Sequence, residues 1–255
     1  MFRGVPVKPV VGREMKTFAR RFSWTGIPVG LITFWCGVWM AARRYPTEYD
    51  WFYMTLSNLL SPSRNPGGHG WATAGIILNG LGGLAWAAEL SRNWKPEDPE
   101  GRPFGVRALY VGYLCLVGSA LLPLRLIWLP KGHEILAILA FAGLCVGIIH
   151  LTFRVAERRF RRWTRGGAVN PRICAGLVAG AAVLPIALGG VTQAYVWYHL
   201  DTFHWVSIAW RARGVPVGLS FAFWEWVVCA VFTGYLAVVS LATRPATDSF
   251  VLPLR

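Results

Sequence analysis

Six stretches of this chain are apolar enough to cross a bilayer, and the basic residues between them are divided unevenly. The stretches run over roughly 24–42, 71–90, 106–129, 133–153, 173–198 and 216–242, each near the ~20 residues a spanning helix requires. Counted on alternate sides, Lys and Arg fall nineteen to one side and seven to the other. The positive-inside rule then puts both termini in the cytoplasm and turns 43–70, 130–132 and 199–215 outward. Hydrocarbon leaves no backbone polar group unpaired, and the runs lack the short alternating pattern of barrel strands, so the spans must be helices. The expected fold is an all-α polytopic bundle of six transmembrane helices. It divides into a basic cytoplasmic segment 1–23, a membrane domain 24–242 and a cytoplasmic tail 243–255. The first apolar run is long, Trp-rich and followed by Arg43 and Arg44, which marks an uncleaved span of a cell (inner) membrane protein.

A net charge of +14 in a soluble chain would suggest nucleic acid. Here the cations flank apolar spans, so no nucleic-acid partner is expected. The densest group, Arg154, Arg158, Arg159, Arg161, Arg162 and Arg165, lies in a short cytoplasmic loop over 154–165. Its partner is the anionic lipid of the inner leaflet, at about 1 kcal/mol per charge near the surface. The five cysteines lie in or beside the spans without C-x-x-C spacing, which excludes a disulfide framework in the outer loops.

Gly26 with Gly30, Gly143 with Gly147 and Gly176 with Gly180 stand four apart, the spacing at which helix backbones approach closely. Pro123 and Pro185 should kink the third and fifth spans. In 47–60, Tyr49, Phe52, Tyr53, Leu56, Leu59 and Leu60 follow helical spacing behind a Thr47 cap, which predicts an amphipathic helix lying along the outer surface. A second such helix is predicted over 202–212, and Trp39, Trp51, Trp71, Trp128, Trp197 and Trp205 form an outer aromatic belt.

Four of the five histidines gather at the outer face: His69, His133, His199 and His204. Such residues commonly sit among headgroups because water is there. Read functionally, they are candidate ligands for one transition metal such as zinc, with His133, Glu134 or Asp201 as catalytic groups; otherwise no cofactor is expected. Polar residues within a span carry more information, because an acid near a helix centre costs about 2.5–3.5 kcal/mol on insertion scales. Glu225 is placed about 13 Å along the sixth span and needs a partner, for which Arg125 or the outer histidines are the candidates. Asn79 and Gln193 are expected in the same polar pocket. No nucleophile elbow, phosphate-binding glycine loop or helical H-E-x-x-H occurs, no lysine within a span could hold retinal, and His150 lacks the inner partner a second haem would need.

The outer segment Ser57-Asn58-Leu59-Leu60-Ser61-Pro62-Ser63-Arg64-Asn65-Pro66-Gly67-Gly68, and the run His133-Glu134-Ile135 to Phe141 that opens the fourth span, resemble the six-span Frag/DRAM/Sfk-type membrane proteins. The likeness is to their bacterial and archaeal branch of unknown function. It implies a six-helix bundle with cytoplasmic ends, with Ser57, Asn65, Pro66, His133 and Phe141 as matching positions. Eukaryotic relatives of that group are linked with lipid handling; Asn58 departs from the acidic residue that often follows the serine. The expected function is therefore a lipid-associated membrane protein whose outer pocket, formed by Arg125, His133, Glu225, Ser57, Asn58 and Asn79, holds a lipid headgroup or a protein partner. A metal-assisted hydrolase or transferase acting on a lipid-type substrate is the alternative, and a proton-coupled transporter using Glu225 the third reading.

Overall fold

The computed structural model describes residues 11–93, 104–122, 132–163, 171–200 and 209–242, and among them every regular element is helical. Six helices are long: α1 (Val11–Arg43), α3 (His69–Asn93), α4 (Phe104–Leu121), α5 (Gly132–Trp163), α6 (Pro171–Leu200) and α8 (Phe221–Ala242). Two are short, α2 (Leu56–Leu60) and α7 (Ala209–Ala212), and a 3₁₀ turn at Val217–Leu219 leads into α8. Five contain an apolar stretch long enough to cross a membrane: Gly26–Arg43, His69–Arg92, Phe104–Leu121, Gly132–Phe153 and Phe221–Val238. In α6 the apolar stretch among the described residues is shorter, Val183–Val196. Large apolar side chains such as Ile32, Leu81, Leu114, Ile138 and Val191 point outward and are half or more exposed. On a soluble protein they would be an aggregating surface; on a multi-pass membrane protein they are the face that meets lipid.

The long helices close a ring: α1 packs on α3, α3 on α4, α4 on α5, α5 on α6, α6 on α8, and α8 returns to α1. Glycines bring two of these joints to backbone contact. A Cβ at Gly37 of α1 would lie 2.5 Å from the Trp71 carbonyl oxygen of α3, and Gly26 and Gly30 face Gly82 and Asn79 in the same seam. Between α4 and α5, a Cβ at Gly112 would lie 2.7 Å from the Leu144 amide nitrogen, and Gly143 and Gly147 face Gly112 and Leu109. Two of the three predicted glycine pairs thus sit in seams. The third does not: no described atom lies within 4 Å of a Cβ at Gly176 or Gly180.

Two local expectations are corrected. The arginines from 154 to 162 are not in a loop, because α5 continues unbroken to Trp163 and its 32 residues span about 48 Å, well beyond the ~30 Å hydrocarbon core. Within the basic segment 1–23, α1 already begins at Val11. The helix predicted over 47–60 shrinks to α2, which is buried among α1, α3 and α8 at the mouth of the ring instead of lying on the surface. The cause is competition for carbonyls. Tyr49 donates its hydroxyl to the Met54 and Thr55 carbonyls at 2.8 and 2.9 Å, and Trp226 Nε1 donates to Met54 at 2.9 Å. The Met54 carbonyl is thus taken by side chains where a continuing helix would need it, and the first helical bond forms one residue later, from the Asn58 N–H to the Thr55 carbonyl at 3.0 Å.

Segment 44–68 thereby becomes a strap across one end of the ring. Ser220 Oγ donates to the Phe52 carbonyl at 2.6 Å, Tyr53 Oη to that of Val215 at 2.6 Å, and Arg211 pairs with Asp50 at 2.9 Å. Asn65 Nδ2 donates to the Ala41 carbonyl at 3.1 Å and to that of Leu59 at 3.3 Å, fastening the strap to the end of α1. Burial first, then the nearby Glu225 carboxylate, pushes the Tyr49 phenol well above its ordinary range, so it remains a hydroxyl donor. At the rim, Arg43 lies over the Trp39 ring at 4.8 Å and Arg44 over Trp71 at 5.2 Å. Of the second predicted surface helix only Ala209–Ala212 is helical among the described residues, and 202–208 lie outside them.

Candidate functional site

Beneath the strap the ring encloses a cavity of about 80 Å³, room for several waters or a small polar group. Most of its wall is apolar, with Leu31 and Phe34 from α1, Leu116 from α4, Phe141 from α5 and Phe232 and Leu236 from α8. Into this wall project Ser57 of α2, Asn79 of α3, Tyr113 of α4, His133 of α5 and Glu225 of α8. Five different elements therefore supply polar groups to one space.

At the mouth the groups are in contact. Ser57 Oγ and His133 Nε2 are 3.2 Å apart, and His133 Nδ1 lies 2.7 Å from the Ser119 carbonyl oxygen at the end of α4. A carbonyl only accepts, so Nδ1 carries the proton; in the neutral ring Nε2 is then the acceptor and the Ser57 hydroxyl donates to it. His133 is 7 % exposed. One residue before the serine, the Leu56 N–H donates to Glu225 Oε2 at 3.1 Å. Ser57 is thus held by backbone bonds on three consecutive preceding residues, through Trp226, Tyr49 and Glu225. On two lining residues a polar atom has no partner among the described residues: Asn79 Oδ1 and the Tyr113 hydroxyl, on residues 8 % and 0 % exposed. A buried oxygen left unpaired costs about 1–3 kcal/mol, which a bound water or ligand group would offset.

Of the six residues expected to form the ligand pocket, Ser57, Asn79, His133 and Glu225 line this cavity. Asn58 does not: it is fully buried behind it, with Oδ1 accepting from Arg64. Arg125 lies outside the described residues, so its expected pairing with Glu225 does too. Glu225 is also shallower than expected. The chain through 217–219 is a 3₁₀ turn and α8 begins at Phe221, which puts the carboxylate in the second helical turn, about 6 Å along the axis. Gln193 is buried on α6 but is not part of the cavity wall, and neither of its amide atoms has a partner among the described residues.

Of the histidines proposed as metal ligands, His69, His133 and His199 lie among the described residues. His69 is fixed at the start of α3 by Nδ1 on the Asn65 carbonyl at 3.2 Å, and His199 is exposed and stacked beside Tyr195 at 4.3 Å. His204 and Asp201 lie outside the described residues, and Glu134 is exposed. Among the described residues no three His, Cys, Asp or Glu side chains are grouped as a metal site would need. His133 could ligate through Nε2 only by releasing Ser57.

Reasoning from residue types did not single out Tyr113 or Ser119. Tyr113 was legible by the rule that flagged Glu225, a polar group inside an apolar run. Ser119 acts through its carbonyl, which every residue carries, so no sequence signal marks it. Of the positions matched in the resemblance, Ser57, His133 and Phe141 all line the cavity, and Asn65 fastens the strap above it.

These features define a multi-pass helical membrane protein with a polar-lipped internal cavity. The chain belongs to the DUF998 family, described as a protein family of unknown function, whose family model matches residues 28–243. No curated protein and no solved structure matches the chain.

Proposed function

We propose that this protein is a six-span, lipid-associated protein of the cell (inner) membrane, with both termini cytoplasmic and the strap facing outward. In this reading the cavity binds the polar end of a lipid-type molecule. The observation that carries it is the convergence of Ser57, Asn79, Tyr113, His133 and Glu225 on one otherwise apolar space, with two of their oxygens unpaired. A small cavity with polar groups in an apolar wall suits a compact headgroup, and the apolar exterior supplies the bilayer in which its chains would lie. The acid Glu225 at the lip, with no cation among the described lining residues, favours a neutral or cationic headgroup over a phosphate. The excess of Lys and Arg at the opposite ends of the spans supports the orientation, and the arginines between 154 and 165 would hold anionic lipid of the inner leaflet. The resemblance to Frag/DRAM/Sfk-type proteins points to lipid handling as well.

The test is native mass spectrometry of the full chain purified in mild detergent, followed by extraction of what it carries. One lipid-type molecule per chain is expected. Tyr113→Phe, which removes a single unpaired hydroxyl, should lower its retention severalfold without changing the fold. A chain that carries nothing under conditions preserving its helices would exclude the proposal. A second reading, hydrolysis or group transfer at the same cavity, is favoured by the Ser57–His133 contact.

A further inference from the structure

We propose that Ser57 is a nucleophile with His133 as its general base, and that the cavity mouth is the active site of acyl transfer from a lipid carboxylic ester. This rests on the reading of the cavity as a lipid site. Three observations carry it. First, the tautomer is set: Nδ1 donates to the Ser119 carbonyl at 2.7 Å, so Nε2 presents its lone pair to the Ser57 hydroxyl at 3.2 Å. That is the arrangement in which an imidazole activates a serine, with its far nitrogen fixed by a third group. Second, the turn that carries the serine is held by tertiary hydrogen bonds. Leu56 is bonded to Glu225, Thr55 to Tyr49 and Met54 to both Tyr49 and Trp226, which fixes the turn carrying Ser57 against α5. Glu225 is thus a positioning residue, acting through the Leu56 N–H. Third, both partners open on a cavity. A hydroxyl recruited only to satisfy a buried imidazole would need no free space beside it, whereas Ser57 and His133 share one with room for a small group.

The charge of the wall narrows the substrate. Glu225 is the only carboxylate and no Lys or Arg is present among the described lining residues, so a neutral carbonyl carbon suits the site better than a phosphodiester. In the first half-reaction Ser57 Oγ forms a bond to the ester carbon while its proton passes to His133 Nε2. The tetrahedral adduct collapses by breaking the carbon–oxygen bond to the alcohol, which leaves with the proton from Nε2. In the second, water or an acceptor hydroxyl gives its proton to Nε2 as it attacks the acyl-Ser57 carbon. The bond to Oγ then breaks, Oγ recovers the proton, and the acid or the new ester departs.

The experiment treats the full chain in detergent with an alkyl fluorophosphonate, which phosphonylates activated serines, and maps the adduct by peptide mass spectrometry. One adduct on Ser57 is expected, absent in Ser57→Ala. His133→Asn should slow its formation by about 10²–10⁴-fold, the usual contribution of a general base. The asparagine amide can still donate to the Ser119 carbonyl, so thermal unfolding of this variant should stay close to that of the parent. In a second measurement, a p-nitrophenyl ester should leave an acyl group on Ser57 detectable as added mass. No adduct on Ser57, or one formed equally fast in His133→Asn, overturns the proposal. Lipid measured on the same samples separates the two readings: lipid retained without an adduct removes the nucleophile alone, and neither lipid nor adduct removes both.

Discussion

The joints α1–α3 and α4–α5 differ in kind from the joints made by α6. In the first two, glycines on facing helices bring backbone against backbone, with Gly37 on Trp71 and Gly112 on Leu144 leaving no space for a single methyl group. Along α6, the glycines at 176, 180 and 190 meet no described atom within 4 Å of where a Cβ would be, and a Cβ at Gly189 would lie 3.1 Å from the Trp224 side chain of α8, not from backbone. Water supplies no hydrophobic drive between helices inside a bilayer, so close approach and the dispersion it brings are what hold neighbours together. The cavity follows the same division. Its wall is drawn from α1 to α5 and α8, and α6, which packs on α5 and α8, adds no described side chain to it. The chamber is therefore walled by the two seamed pairs together with α2 and α8.

The sharpest way to break this contrast is to enlarge glycines on both sides of it. Gly37→Leu and Gly112→Leu each drive a side chain into backbone that cannot turn aside, and should cost about 3 kcal/mol or more, read as loss of folded protein in detergent. Gly180→Leu should stay within about 0.5 kcal/mol of the parent. Equal losses on both sides would show that α6 is seamed as firmly as the rest.

A smaller effect tests how the strap is held over the chamber. Trp226→Phe deletes the Nε1–H bond to the Met54 carbonyl, but Tyr49 still donates to the same oxygen. The expected cost is about 0.5–1.5 kcal/mol in thermal or denaturant unfolding. A larger loss would mean that the ring contacts of Trp226 with Trp51 at 4.9 Å and Trp35 at 6.2 Å hold the strap more than the hydrogen bonds do.

Much of this arrangement can be read from residue order alone, and the reasons for the remainder are physical. Apolar runs and their basic flanks mark the long helices because the bilayer imposes length and sidedness on each segment separately. Ser57, Asn79, His133 and Glu225 stand out because polar groups in or beside such runs are costly to place. Their mutual contacts are not legible in the same way. Ser57 and His133 are separated by 76 positions, and the partner that orients the imidazole is a backbone carbonyl. The strap defeats periodicity for a related reason: the spacing of Tyr49, Phe52, Tyr53 and Leu56 is helical, but tertiary donors claim the Met54 carbonyl. Glycine spacing has the same limit, since Gly143–Gly147 and Gly176–Gly180 look alike in sequence and, among the described residues, only the former has a neighbour to touch.

The smallest expected effect lies where the strap meets the segment between α6 and α8. Arg211 donates to Asp50 at 2.9 Å, but its side chain is 72 % exposed, so solvent and salt screen most of the attraction. Asp50 is more enclosed, and its other oxygen already accepts the Phe52 N–H at 3.0 Å, which keeps the turn formed when the arginine is gone. Arg211→Ala should therefore lower stability by no more than about 0.5 kcal/mol, and the difference should vanish as salt is raised. If instead the loss reaches that of Trp226→Phe and persists in high salt, the ion pair is part of what fastens the α6 flank. The contrast between the seamed chamber and the joints of α6 would then have to be redrawn with the strap as the tie between them.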